Sequence, residues 1–192
     1  MITWSCKNAL TALTLTSLAA CENGQGVAFL QKPDGKATTK VVAMPQAKMA
    51  FGAVTLAAPE GFCIDRTSLK QNFALMTRCE SLGAPEAAAN APAGILTASF
   101  SSASATVPTP SETAAALRLA TVTDPVIKDR SVTFRASGPA PAEGLSETHW
   151  RGTARVGSQM ISLALFGPKG GRAIGAEGRK ILDRMISGLG SE

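Results

Sequence analysis

The sequence predicts an α+β fold in which helices pack on an antiparallel β-sheet. Residues 148–156 and 159–166 alternate apolar and polar side chains on either side of Gly157-Ser158, a pair typical of a two-residue type II′ hairpin turn. Residues 173–189 place apolar side chains on one helical stripe. Along the chain the predicted order is strands, a helix, three strands and a closing helix. The 192 residues give room for one such domain.

Short strands are predicted in the first half of the domain, at 52–57, 62–65, 73–79 and 94–100. Pro59-Glu60-Gly61 is a turn between the first two of them. The segment 83–93 is rich in alanine, proline and glutamate, and the segment 101–110 is rich in serine, threonine and proline. Both compositions are typical of loops outside the core.

The first helix is predicted to begin at Pro110-Ser111-Glu112, with Ser111 as its N-cap. Glu112 complements the positive end of the helix dipole. The helix would continue through Leu119 and end before Asp124-Pro125, because a residue that precedes proline disfavours helical geometry. A strand is then predicted at 131–135, where Val132 and Phe134 share one face.

The hairpin turn fixes the register of the last two strands, and the register fixes their faces. It places Val156 opposite Gln159, Ala154 opposite Ile161 and Trp150 opposite Leu165, and directly opposed residues share a face. The predicted core face carries Trp150, Ala154, Val156, Ile161, Leu163 and Leu165. The predicted polar face carries His149, Arg151, Thr153, Arg155 and Ser162. The closing helix would cover the core face with Ile174, Ile181, Leu182, Met185, Ile186 and Leu189.

This element order resembles the Mog1/PsbP-like sandwich. The residues that carry the resemblance are Pro59-Glu60-Gly61-Phe62, similar to a Pro-x-Gly-aromatic start, together with the late hairpin and the closing helix. The resemblance covers about residues 50–190 and implies a module that binds partners without catalysis. It assigns no functional residue.

The first twenty residues have the pattern of a secretory signal peptide. Lys7 supplies a weakly positive start, residues 8–20 form a short apolar and threonine-rich stretch, and no acidic residue precedes Glu22. Leu18-Ala19-Ala20-Cys21 resembles the lipobox of bacterial lipoproteins. The resemblance implies cleavage before Cys21, diacylglycerol on its thiol, and a fatty acid such as palmitate on the new amino terminus. The alternative is an ordinary secretory signal followed by a chance cysteine.

The four cysteines fit the same interpretation. Cleavage would remove Cys6 and lipidation would use Cys21, which leaves Cys63 and Cys79, sixteen residues apart. An oxidising compartment would pair them. Closing a loop of this length stabilises a fold by about 3 kcal/mol. The alternative, a redox or metal site, lacks the Cys-x-x-Cys spacing or further ligands that such chemistry needs.

These features predict the domain organisation and the location. Residues 1–20 are the signal peptide, 21–50 a lipid-attached tether with a possible hairpin between the β-like runs 27–30 and 41–44, and 51–192 a single α+β domain. The protein is expected in the bacterial cell envelope, anchored by its lipid and facing the periplasm. Glu22 follows the modified cysteine and favours the outer membrane over the inner one, since aspartate there favours inner-membrane retention in enterobacteria.

The sequence contains no catalytic motif, so we expect neither an enzyme nor a cofactor or metal site. The chain has a single histidine and no Gly-x-Ser-x-Gly elbow. The segment 167–172 is glycine-rich but lacks the Walker pattern, and a strand-to-helix connection is the simpler interpretation. His149 is expected to be exposed or to cap a neighbouring element.

The basic balance predicts an acidic partner. The net charge is +5, and loss of Lys7 with the signal peptide leaves 18 bases against 14 acids, or +4. Arg151 and Arg155 would project from one sheet face, with Arg135 joining them from the next strand. Such a face could bind anionic lipid headgroups or an acidic envelope protein, and nucleic acid is not an expected partner. The alternatives are a solvated face, or arginine stems that cover apolar surface.

The expected function is therefore that of a lipid-anchored envelope lipoprotein acting as a non-catalytic binding or accessory module. One alternative is a carrier that holds a lipid or another apolar ligand between sheet and helix, which requires an unfilled apolar cavity. The other is an envelope enzyme with a site near His149 and Arg151, which requires converging polar groups in a pocket.

Overall fold

The structure is a computed structural model that describes residues 42–87 and 90–191. The strands and helices are β1 (Ala43–Met44), β2 (Gln46–Met49), β3 (Val54–Ala57), β4 (Phe62–Asp65), β5 (Phe73–Arg78), β6 (Ile95–Ser102), α1 (Pro110–Leu117), β7 (Thr121–Lys128), β8 (Ser131–Ser137), β9 (Thr148–Val156), β10 (Gln159–Phe166), α2 (Ala176–Ser187) and β11 (Gly190–Ser191). The predicted signal peptide and Cys21 lie outside the described residues. Within those residues, no helix combines the length and the apolar character needed to cross a bilayer.

The strands form an eight-stranded antiparallel sheet in the order β1-β4-β5-β6-β10-β9-β8-β7 and a three-stranded sheet in the order β11-β3-β2. Helix α2 and the small sheet contribute to the apolar core on one face of the large sheet. The α+β prediction of a mainly antiparallel sheet with helices packed on it is therefore confirmed.

The register of the predicted hairpin is confirmed residue by residue. Val156 pairs with Gln159 and Trp150 with Leu165. Gly157 has φ 56°, in the left-handed region that a type II′ turn requires at its first central position. One residue more or less in this turn would exchange the two faces of the hairpin.

The core face of the hairpin packs against α2, as predicted. Ile181, Leu182 and Met185 are buried there in one cluster with Trp150 and Leu163. The helix begins later than the predicted residue 173, because a 3₁₀ turn at Arg172–Ile174 precedes it. The Trp150 indole N–H donates to the Gly175 carbonyl oxygen, 2.7 Å away, and so ties the sheet to the N-terminal end of α2.

The first helix differs from the prediction at both ends. Its N-cap is Thr109, not Ser111: the Thr109 hydroxyl accepts from the Glu112 N–H, while the Glu112 carboxylate accepts from the Thr109 N–H. Pro110 then occupies the first helical position, which suits its fixed φ. The helix ends at Leu117, because Arg118 adopts left-handed geometry with φ 55°.

Strand β7 was not predicted as a strand. It contains Asp124-Pro125, and its pairing with β8 shifts register between Thr123 and Val126. Proline cannot donate to a sheet ladder, but β7 is the edge strand of the large sheet, where proline is tolerated.

The N-terminal part of the fold also differs. The β-like run 27–30 lies outside the described residues. Ala43–Met44 pairs with β4, and β2 pairs with β3. Met49 is fully buried in the main core. The folded part of the described chain therefore reaches back at least to Ala43, ahead of the boundary predicted at residue 51.

Cys63 and Cys79 form a disulfide bond. Cys63 lies in β4, and Cys79 follows the last residue of β5, so the bond joins neighbouring ends of one antiparallel pair. Both cysteines are buried beside Leu82 and Ala84. The predicted pairing and its position are thus present in the structure.

Candidate functional site

The predicted polar face of the hairpin is largely covered. Register places Arg151 opposite Phe134 on β8 and opposite Ala164 on β10, so this face also carries apolar side chains. Two clusters cover it, one with Val107 and Leu119 and the other with Leu145. Much of this face of the sheet is therefore a second core.

His149 is the clearest departure from expectation. It was predicted to be exposed or capping, yet it is fully buried. Its imidazole stacks on the Phe166 ring with centroids 4.3 Å apart. The prediction failed because the apolar residues that join the clusters on this face come from segments distant in sequence, including Leu119 and Leu145.

Both nitrogens of the imidazole are engaged. The Arg151 Nε–H donates to Nε2 at 2.9 Å, so Nε2 must carry a lone pair. Nδ1 lies 2.7 Å from the Glu147 carbonyl oxygen and must therefore carry the proton and donate. These contacts assign one neutral tautomer to His149.

The pKa of His149 is lowered to about 4, mainly by burial and in smaller part by the nearby Arg151 charge, against the opposing effect of the hydrogen bond to the Glu147 carbonyl. The imidazole is thus neutral at physiological pH. A general base needs a free nitrogen within reach of a substrate proton, and neither nitrogen is free in this arrangement. His149 serves here as a buried acceptor that positions Arg151.

Arg151 is half-buried, and burial lowers its pKa. Its guanidinium lies 5.7 Å from the Phe166 ring centroid and donates to His149. Among the described residues, no carboxylate lies within ion-pair distance of it. Arg151 is therefore held by groups of the fold itself, which differs from the freely solvated residue that was one of the alternatives.

The three predicted basic residues do not form one surface. Arg135 pairs with Trp150 across β8 and β9, so it lies on the opposite face, toward α2. Its Nε atom is buried without a hydrogen-bond partner. The placement of Arg135 beside Arg151 and Arg155 was therefore wrong. The register puts Phe134 opposite Arg151, and successive residues of a strand face opposite ways, so Arg135 faces away from Arg151. Arg155 is exposed near the end of β9.

Arg155 lines an open groove of about 680 Å³. One wall is the segment 105–110, which leads into α1, and the other is 127–132, which contains the β7–β8 turn. The Arg155 Nη1 donates to the Ala105 carbonyl oxygen at 3.2 Å. The Arg130 Nη2 donates to the Arg155 carbonyl oxygen at 3.3 Å, and the Arg155 N–H donates to the Arg130 carbonyl oxygen at 2.9 Å. Backbone contacts thus hold both arginines at the rim.

The groove is basic with an apolar rim. Lys128, Arg130 and Arg155 face one acid, Asp129, and none of these four has an ion-pair partner among the described residues. Ile127 is 71% exposed beside them. We call Ile127, Lys128, Arg130 and Arg155 the tip surface. Sequence reasoning found only Arg155, because the other three lie in or directly after the strand that Asp124-Pro125 disguised.

The glycine-rich segment 167–172 connects β10 to the 3₁₀ turn before α2, in keeping with the simpler interpretation. Arg172 donates to the Asn90 carbonyl oxygen and lies 3.1 Å from the Glu177 carboxylate. The Arg172 guanidinium is therefore already bound by groups of the protein itself. In the ranges 42–87 and 90–191, no group of three or more His, Cys, Asp or Glu side chains could hold a metal ion.

Comparison with known proteins assigns no family to the chain. No protein-family model matches it, and no curated protein matches it significantly. Function must therefore be inferred from the residues and their geometry.

Proposed function

We propose that the chain is a lipid-anchored bacterial envelope lipoprotein whose folded domain is a non-catalytic binding module. The observation that carries the proposal is the bond between Cys63 and Cys79. A stable disulfide is typical of proteins that fold outside the cytosol, as the export signal at 1–20 predicts.

The bond also uses two of the three cysteines that follow the predicted cleavage site. Of the four in the chain, Cys6 precedes the site, and Cys63 and Cys79 are paired. Cys21 is left, at the position that the lipobox resemblance of Leu18-Ala19-Ala20-Cys21 assigns to lipid. Two or three acyl chains on one residue hold a protein at a membrane far more stably than one chain does.

A binding role is supported because the structure argues against the two alternatives, an enzyme and a carrier of an apolar ligand. The enzyme alternative depended on His149, whose nitrogens are both engaged and whose ring is buried. The carrier alternative needs an enclosed cavity between α2 and the sheet, but Ile181, Leu182 and Met185 are buried in the main core there, and the clefts at the C-terminal end of α2 are open to solvent. The basic groove beside Arg155 remains as an open concave surface.

The resemblance to Mog1/PsbP-like sandwiches supports the same proposal. The features on which the resemblance rests are the turn Pro59-Glu60-Gly61, which leads into β4 at Phe62, and the late hairpin with its closing helix. Members of that fold mostly bind partners. The groove, with three bases and one acid, would suit an anionic partner.

The anchor is tested by expressing the full chain in a bacterial host and following its processing. We expect wild-type protein to remain in the membrane fraction after a high-salt wash, and its precursor to accumulate when globomycin blocks the lipoprotein signal peptidase. Cys21→Ala should abolish the effect of globomycin on processing, because the lipoprotein signal peptidase requires the lipidated cysteine. Cys6→Ala is the matched control and should leave both wild-type results unchanged. A Cys21→Ala protein that is processed and retained like wild type would overturn the proposal.

A further inference from the structure

We propose that the tip surface docks on the anionic phospholipid headgroups of the membrane that carries the Cys21 anchor, with Ile127 inserting among them. This inference rests on the proposed function, since the anchor is what keeps the domain near a membrane. It adds a second, non-covalent contact that sets which side of the domain faces the lipid.

The charge of the tip surface matches an anionic bilayer. Lys128, Arg130 and Arg155 are exposed together at one end of the sheet, and Asp129 is the one acid that lines the same groove. None of the three bases is neutralised by an ion pair among the described residues. Exposed cations next to an anionic leaflet are attracted to its phosphates over about one Debye length.

The arginines are held in place before any ligand arrives. Arg130 donates one hydrogen bond to the Arg155 carbonyl oxygen, and Arg155 donates one to the Ala105 carbonyl oxygen. Each guanidinium has five N–H donors, so most remain available for phosphate oxygens. Because both side chains are already positioned, less conformational entropy is lost on binding.

Ile127 favours lipid over an acidic protein as the occupant. It is 71% exposed on the edge strand, directly before Lys128 and two positions from Asp129. A headgroup layer offers phosphate for the bases and hydrocarbon for this side chain, with no complementary shape needed. The charge and the apolar residue therefore point to the same partner.

The covalent tether permits this contact. The chain from Cys21 to Ala43 can span at most about 80 Å when fully extended. A domain held within that distance meets the membrane at high effective concentration, so a contact too weak for free protein suffices for the anchored one.

The test uses the mature lipidated protein, checked by mass and reconstituted in phosphatidylcholine vesicles with or without phosphatidylglycerol. Amide hydrogen exchange is measured in both. We expect exchange at residues 126–131 and 155–158 to slow at least about threefold in the anionic vesicles, and less as salt rises from roughly 0.05 to 0.5 M. Inorganic phosphate added to neutral vesicles should not reproduce the effect.

Matched variants identify the surface. Neutralising it with Lys128→Gln, Arg130→Gln and Arg155→Gln should abolish the slowing, and Ile127→Ser should reduce it. The controls are Arg179→Gln, Lys180→Gln and Arg184→Gln, which remove the same charge from α2, and Leu117→Ser, an exposed leucine on α1. Both controls should behave as wild type. Protection of β6 and β10 in the same experiment reports whether each variant is folded.

Two results would overturn the docking: equal exchange in neutral and anionic vesicles, or slowing that the tip variants keep. An unlipidated mass would contradict the anchor instead, so the two failures are distinguishable.

Discussion

His149 shows how one buried side chain can serve packing and hydrogen bonding without chemistry. The imidazole is fully buried, stacks on Phe166, and accepts from Arg151. A buried polar group that found no partner would be costly, and this one finds two, Glu147 and Arg151. These two hydrogen bonds require the neutral form of the imidazole.

The depressed pKa of His149 predicts that stability falls below neutral pH. The unfolded chain binds a proton near pH 6.5, whereas the folded chain resists until about pH 4, so acid favours the unfolded state. The stabilisation is fully present above pH 6.5 and is lost as pH falls toward 4. Denaturant titration should show a loss of about 2 kcal/mol between pH 7 and pH 5.

His149→Gln provides the control, because the amide can still accept from Arg151 but does not titrate. His149 is the only histidine in the chain, so little else should change between pH 7 and pH 5. A wild-type stability that is flat over this range would contradict the assigned neutral state.

Gly178 lies inside α2 at a position where alanine, although the better helix former, should destabilise the domain. Replacing glycine by alanine inside a helix usually stabilises it by about 1 kcal/mol. Here a Cβ would lie 1.8 Å from the Ala173 carbonyl oxygen and 2.7 Å from Trp150 Cδ1. Gly178→Ala should therefore destabilise the domain by about 2 kcal/mol or more, measured by chemical denaturation.

Gly188→Ala is the comparison for this substitution, since a Cβ there approaches nothing closer than 3.4 Å and φ is −88°. Its effect should stay within about 0.5 kcal/mol. If both variants unfold at the same denaturant concentration, the close approach of α2 to Trp150 is not as described.

Among the elements, α1 gives the sharpest test of local structure. Thr109 forms a reciprocal capping box with Glu112. The Glu112 carboxylate accepts from both the N–H and the hydroxyl of Thr109, and these two hydrogen bonds lower its pKa. Thr109→Ala should reduce the free energy of unfolding by about 1 kcal/mol. Ser111→Ala, at the position that the sequence favoured as N-cap, should have almost no effect. The reverse ranking of the two variants would restore the sequence prediction.

The elements also show what the sequence could and could not predict. The β9–β10 register and the α2 stripe follow from periods of 2 and 3.6 residues, which are local signals. Strand β7 was missed because Asp124-Pro125 interrupts its pattern, although an edge strand tolerates both. Because β7 was not predicted, the positions of Lys128 and Arg130 were not predicted either, and most of the tip surface was missed.

In the assembled domain, the main surprise is that both faces of the large sheet are substantially covered. Alternation correctly separated His149 and Arg151 from Trp150, but it could not show that Leu119 and Leu145 would join apolar clusters on the His149 face. That cover depends on contacts between segments far apart in the chain. Sequence periodicity reports which residues share a face, not what lies above it.

The disulfide is predicted to stabilise the domain as a unit. Cys63 and Cys79 are sixteen residues apart, and closing such a loop restricts the unfolded chain. Reduction, or the double substitution Cys63→Ser and Cys79→Ser, should lower the free energy of unfolding by about 3 kcal/mol. Urea titration with and without dithiothreitol measures it, and the double variant should not respond to the reductant. An unchanged midpoint in reduced wild type would contradict a stabilising bond.

The lipid anchor, and with it the proposed docking at the tip surface, depends on what happens at Cys21. Mass spectrometry of the amino-terminal peptide, from protein purified out of its native host, tests this most directly. We predict a peptide that begins at Cys21 and carries a thioether-linked diacylglycerol and an amide-linked fatty acid. An intact initiator methionine, or an unmodified thiol at position 21, would contradict the proposal that this is a lipoprotein.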